Sequence, residues 1–194
     1  MKRTVETLAF RSLATGLLAA LLSAPAVASG REIAGVEFAE VAEIGGTRVP
    51  LRGAGLLRYR LIFDAYVAAF YATDDESMHD PLGAEPRRLE IEYFWALKAE
   101  QFAAATIQGI SANVSESEFA ALEPTIEHFN SHYEDIEPGD RYALTFANGA
   151  TELAKNGRTL GAIEGTGFAR AIFAIWLGKE PLSRNLKSAL LGAQ

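Results

Sequence analysis

The apolar positions of this chain change their period in a fixed order. Val36–Ile44 and Thr47–Leu51 read as short strands around the Gly45-Gly46 turn. Leu56–Tyr71 is a long apolar, aromatic-rich strand run, with a hairpin or bulge expected near residues 58–61. Residues 74–86 are acidic and carry Pro81, Gly83 and Pro86, which predicts an exposed loop. From Arg88 to Trp95 the alternation is strict, with Leu89, Ile91, Tyr93 and Trp95 on one face. Helical spacing then takes over. Phe102, Ala105 or Thr106, and Gly109 form the stripe of a helix over 98–113, and Ser115 or Ser117 caps a second helix that Pro124 is expected to kink or restart. A strand over 140–146 and a hairpin through Asn156-Gly157 (151–155 with 158–163) follow. The chain closes with an apolar helix over 167–177, ended by Gly178, and a short helix after Pro181.

Strands, two helices, strands, two helices: hairpins outnumber any strand–helix–strand unit. The fold class expected is therefore α+β, a mainly antiparallel sheet with helices on one face, in a single domain over residues 29–194. At 194 residues the chain has room for one well-formed core.

The first 28 residues follow another rule. Lys2, Arg3 and Arg11 precede an apolar run over 12–22, and Ala26-Val27-Ala28 supplies small residues. This is the pattern of a secretory signal peptide cut after Ala28, and it predicts a periplasmic or secreted protein. Removing it would take away three basic residues and one acidic one, moving the net charge from −7 to −9. So acidic a chain has no electrostatic footprint for nucleic acid. No other segment is long and apolar enough to suggest a membrane span after cleavage. With no cysteine, disulfides, thiolate nucleophiles and cysteine metal sites are excluded.

The chemistry-bearing residues are few. Arg58 and Tyr66 lie eight apart, so on one unbroken strand they share a face. Arg offers a bidentate cation and Tyr a neutral donor, together a fit for the carboxylate of an amphipathic acid, although both types also sit at strand ends with their tips in water. His128 and His132 stand four apart on a helix, but without a third ligand they predict surface histidines rather than a metal site. Gly165-Thr166-Gly167 reads as a helix cap, because it lacks the lysine and spacing of a phosphate loop. No Gly-x-Ser-x-Gly elbow is present to support a hydrolase triad. No metal and no cofactor is expected.

Read in order, G-A-G-L-L-R (53–58), Y-V-A-A-F-Y (66–71), P-G-D-R-Y-A-L-T-F (138–146), Asn156-Gly157 and F-A-R-A-I-F-A-I-W-L-G-K-E-P (168–181) resemble the chalcone isomerase-like family, in its bacterial exported branch. The resemblance runs from about Ile33 to Gly192. It implies an open-faced sandwich, a curved antiparallel sheet with helices on one side and a ligand pocket between them. The family includes isomerases that close a flavanone ring and non-catalytic fatty-acid binders. Against the isomerases, Arg58 falls at the strand arginine and Tyr66 at the threonine, while Phe102, Gly109 and Ala169 replace the polar Tyr, Asn and Ser/Thr. Against the fatty-acid binders, Arg58 and Tyr66 match the pair that holds the carboxylate. The resemblance thus implies a binding protein for a fatty acid or similar amphipathic carboxylic acid, with Arg58 and Tyr66 at the head group and Phe63, Phe70, Phe102 and Ile107 in the wall. The alternatives are an intramolecular lyase using Tyr66, or an envelope scaffold with a vestigial pocket. Asp64 departs from the basic residue that relatives often carry there, and it is a potential partner for Arg58.

Overall fold

A computed structural model describes residues 30–59, 63–73 and 79–192. The expected leader lies outside the described residues, as does part of the 74–86 loop. Nine strands and four helices are formed among the described residues: β1 (Gly30–Ile33), β2 (Val36–Ala39), β3 (Val41–Ile44), β4 (Thr47–Tyr59), β5 (Phe63–Ala72), β6 (Arg87–Tyr93), α1 (Ala99–Ser111), α2 (Glu116–Asn130), β7 (Arg141–Ala147), β8 (Ala150–Lys155), β9 (Arg158–Glu164), α3 (Thr166–Leu177) and α4 (Arg184–Leu190). Strands β3 to β9 form one seven-stranded sheet in chain order, every neighbouring pair antiparallel. The expected α+β architecture is the one found.

One strand expectation needs correction, and another, the hairpin or bulge near residues 58–61, is found as both. The strand read over 36–44 is two strands: β2 pairs with β1 in a separate two-stranded sheet, while β3 pairs with β4. The break falls at Glu40, whose carbonyl accepts the Leu51 N–H at 2.8 Å. The long run over 56–71 is a hairpin, with Leu57 opposite Tyr66 and Arg58 opposite Asp64 across a register shift. Single-strand parity therefore does not relate Arg58 to Tyr66. Nor does Pro124 interrupt its helix: α2 runs through it, on an exposed face where the lost backbone bond is open to water. Ser115 is the residue that caps α2, accepting the Glu118 N–H.

The sheet is covered on both faces. On one, Val36 and Phe38 of the β1–β2 hairpin pack on Ile44, Val49, Leu51, Val67, Ala69 and Tyr71, and the Tyr71 hydroxyl donates to the Ala39 carbonyl at 3.0 Å. On the other, the four helices close over the main core. Helix α3 lies at its centre with eight of its twelve residues buried, since a helix this apolar has little solvent face to offer. Gly109 lets α1 approach α3, because a Cβ there would sit 2.7 Å from Ile175 Cγ1.

The Asn156-Gly157 turn forms as expected, with φ of 50° and 79°, the left-handed pair that this two-residue turn requires. It is tied to Asp140. That carboxylate accepts from the Glu137 backbone N–H at 2.9 Å and the Asn156 side-chain amide at 2.7 Å, and pairs with Lys155 at 3.0 Å. These donors, the backbone one foremost, hold its pKa down at about 2. A depressed carboxylate contributes stability above its ordinary range and loses it as pH falls through the folded value. Thermal melts should therefore show wild type above Asp140→Asn at pH 5, with the gap closing as pH approaches 2. A gap independent of pH would mean that Asp140 does not act through its charge.

Candidate functional site

Between the concave sheet face and the helices lies a cavity of about 590 Å³. The sheet floor comes from alternate, inward positions: Leu57 on β4, Tyr66 on β5, Ile91 and Tyr93 on β6, Tyr142 and Leu144 on β7, and Leu153 on β8. Helix α1 contributes Phe102 and Thr106, one turn apart, and α3 contributes Ile172, Ile175 and Trp176. Among the described residues, no Asp, Glu, Lys, Arg or His lines the cavity. Phe63, Trp95 and Leu182, each more than half exposed, also belong to the lining and form an apolar rim. Phe63 and Trp95 meet edge to face at 6.5 Å.

The polar content of the interior is phenolic. Phe102 is the hub of an aromatic cluster, with ring centroids 5.3 Å from Tyr93 and Tyr133 and 5.2 Å from Tyr142. Of the four tyrosine hydroxyls in the lining, those of Tyr66, Tyr93, Tyr133 and Tyr142, two are satisfied within the protein. Tyr133 shares a hydrogen bond with Thr106 at 2.9 Å, and Tyr142 accepts from the Glu134 N–H while donating to its carbonyl at 2.7 Å. The other two are not. Tyr66 accepts the Trp176 indole N–H at 2.9 Å and finds no acceptor for its own proton among the described residues. Tyr93, its ring 5.4 Å from that of Tyr66, has no hydrogen-bond partner among them at all. Burial drives the pKa of Tyr66 and Tyr133 upward, and that of Tyr93 well above its usual value, while Tyr142 is pushed up to about 12. All four are neutral phenols at any physiological pH.

The expected site residues divide evenly. Tyr66, Phe63 and Phe102 line the cavity. Phe70 is fully buried further along β5, packed in the core and not lining the cavity. Ile107 sits on the outer side of α1, 45% exposed. Arg58 is also outside the lining: its side chain is 59% exposed, and its Nε donates to Asp64 at 2.9 Å. The turn between β4 and β5, together with the register shift at Leu57/Arg58, puts Leu57 rather than Arg58 on the inner face beside Tyr66. Of the three helix positions where the isomerases carry polar groups, Phe102 faces the cavity, Gly109 is used for helix packing and Ala169 is buried outside the lining. The sequence reading missed Tyr93, Tyr133, Tyr142, Thr106 and Trp176 as lining residues. Tyr142 was accessible to it, because it alternates with Leu144 and Phe146 on a strand that pairs Ile91 with Tyr142.

A curled antiparallel sheet roofed by helices, with an apolar cavity between the layers, defines a chalcone isomerase-like sandwich. The chain belongs to the chalcone isomerase-like family, whose model matches residues 30–192. Among solved structures it is similar to a fatty-acid binding protein of Arabidopsis thaliana, with a TM-score of 0.66 over 81% of this chain and 92% of that one at 17% identity, a likeness of fold. Comparison with curated proteins finds no match.

Proposed function

We propose that this is an exported, non-catalytic carrier that holds a fatty-acid-like amphipathic molecule between the sheet and the helices. The observation that carries the reading is the cavity itself. Its volume lies in the range of small-ligand sites, its walls are apolar, and its rim of Phe63, Trp95 and Leu182 gives a greasy chain a way in. The fatty-acid binding protein of similar fold supports the same class of ligand. The non-catalytic part rests on the lining. Among the described residues it holds no charged group, and its phenols have pKa values raised by burial, which makes them donors and not bases. Export rests on the basic, apolar and small-residue pattern of residues 1–28.

Native mass spectrometry of protein purified from a periplasmic fraction tests this reading. A defined acyl adduct is expected in wild type. It should be absent from Ala105→Trp, where a large ring enters the cavity from an exposed lining position on α1 and the core is left alone. Recovery of the protein only from the cytoplasm would remove the export claim. An adduct that persists in Ala105→Trp would place the ligand elsewhere.

A further inference from the structure

The carrier reading leaves open which end of the ligand the protein recognises. Among the described residues, every titratable group inside the cavity is a phenol: Tyr66 from β5, Tyr93 from β6, Tyr142 from β7 and Tyr133 just beyond α2. The helical contributions of Gln101, Thr106 and Trp176 carry no charge, and β4 and β8 add only Leu57 and Leu153. The cation that the sequence suggested for the head group, Arg58, is paired with Asp64 at the surface. A carboxylate brought into such a space would lose its hydration with no counter-charge among the described lining residues to replace it, a cost large enough that the group takes up a proton instead. What the cavity does offer is two adjacent O–H donors. Tyr66 is oriented by the Trp176 indole N–H, which occupies a lone pair and leaves the phenol proton free; the Tyr93 hydroxyl is unpartnered among the described residues. A single carbonyl oxygen has two lone pairs, one for each donor.

We propose that the ligand's polar end is an uncharged carbonyl, of ester or amide type, held by the hydroxyls of Tyr66 and Tyr93, and that a free fatty acid enters only in its protonated form. This rests on the carrier reading and names the head group it selects. The cavity discriminates by omission: neutral heads lose little on entry, whereas ionised heads forfeit their water.

The protein carries its own reporter, since both of its tryptophans, Trp95 and Trp176, line the cavity. Tryptophan fluorescence can therefore follow titration with methyl decanoate and with decanoate. At pH 7.5 the ester should bind at least tenfold more tightly. Between pH 7.5 and 5.5 the affinity for the acid should rise about tenfold per pH unit, tracking its protonated fraction, while that for the ester stays constant. The doubly substituted Tyr66→Phe/Tyr93→Phe protein should weaken the ester about tenfold, the scale of two neutral hydrogen bonds. Equal binding of acid and ester at pH 7.5 overturns the inference and leaves the carrier reading standing. So does selective loss of decanoate binding in Arg58→Ala, which would restore a carboxylate site. Failure of both ligands to bind removes the carrier reading and this inference together.

Discussion

Lengthening a saturated acyl methyl ester from eight to twelve carbons is expected to tighten binding about 200-fold. Each methylene moved from water into an apolar wall contributes roughly 0.8 kcal/mol, so four contribute about 3 kcal/mol, and each 1.4 kcal/mol is a factor of ten. The premise is that the added groups reach the aliphatic part of the cavity, among Leu144, Leu153, Ile172 and Ile175, and not the rim. A calorimetric series over these chain lengths gives the slope directly. About fourfold per carbon, followed by a plateau once the cavity is full, is the expected shape. A slope below twofold from the start would mean that the chain stays at the mouth among Phe63, Trp95 and Leu182.

The second large effect concerns stability and a single methyl group. Gly53→Ala should lower the melting temperature by about 10 °C, from a cost of about 3 kcal/mol in a domain of this size. Helix α4 ends directly over β4. A Cβ at Gly53 would run into the Ala189 carbonyl oxygen and lie 2.6 Å from that of Leu190, and one at Gly55 would lie 2.7 Å from the Ala189 side chain. The Gly53 contacts are backbone atoms of a helix whose Leu186 and Leu190 are buried in the main core, so relief requires the helix to lift and expose both. Gly167→Ala is the control. Its Cβ meets nothing within 4 Å, at the start of α3, where alanine is the better helix former. Its melting temperature should stay level or rise. Equal losses for the two variants would mean that close approach is not what Gly53 provides.

The same glycines show what the sequence disclosed. Gly53 and Gly55 belong to the G-A-G-L-L-R stretch that carried part of the family resemblance, and the order of periodicities led to an antiparallel sheet with helices on one side. The Asn156-Gly157 hairpin followed from residue type alone, because few other pairs accept two left-handed conformations. Tyr66 and Phe102, expected at the pocket from the family resemblance, both line the cavity. What went astray was parity across a turn. Arg58 and Tyr66 share a face only if the chain runs straight between them, and it reverses. Register shifts at Leu51/Gly53 and Leu57/Arg58 change sides without leaving a mark in composition. Phe70 illustrates a different gap: it lies on the correct face of β5 but at a level where side chains fill the space instead of lining it. No one-dimensional pattern separates a packed layer from a hollow one. Tyr133 follows the end of α2, outside any periodic run, so only the folded chain brings it to Phe102.

The sheet's meander has one uneven joint. Neighbouring strands are connected by turns or by loops no longer than residues 73–86, except β6 and β7, between which the chain travels from residue 94 to residue 140 through two helices. Bringing those two strands together carries the largest loop-closure entropy of any pairing in the sheet. The cavity is built across this seam. Tyr66, Ile91 and Tyr93 stand on one side, Tyr142, Leu144 and Leu153 on the other, and the hollow removes packing at the place where the two halves must hold each other. A bound chain touching both sides would serve as the missing core of that joint, so that loading the protein also completes it.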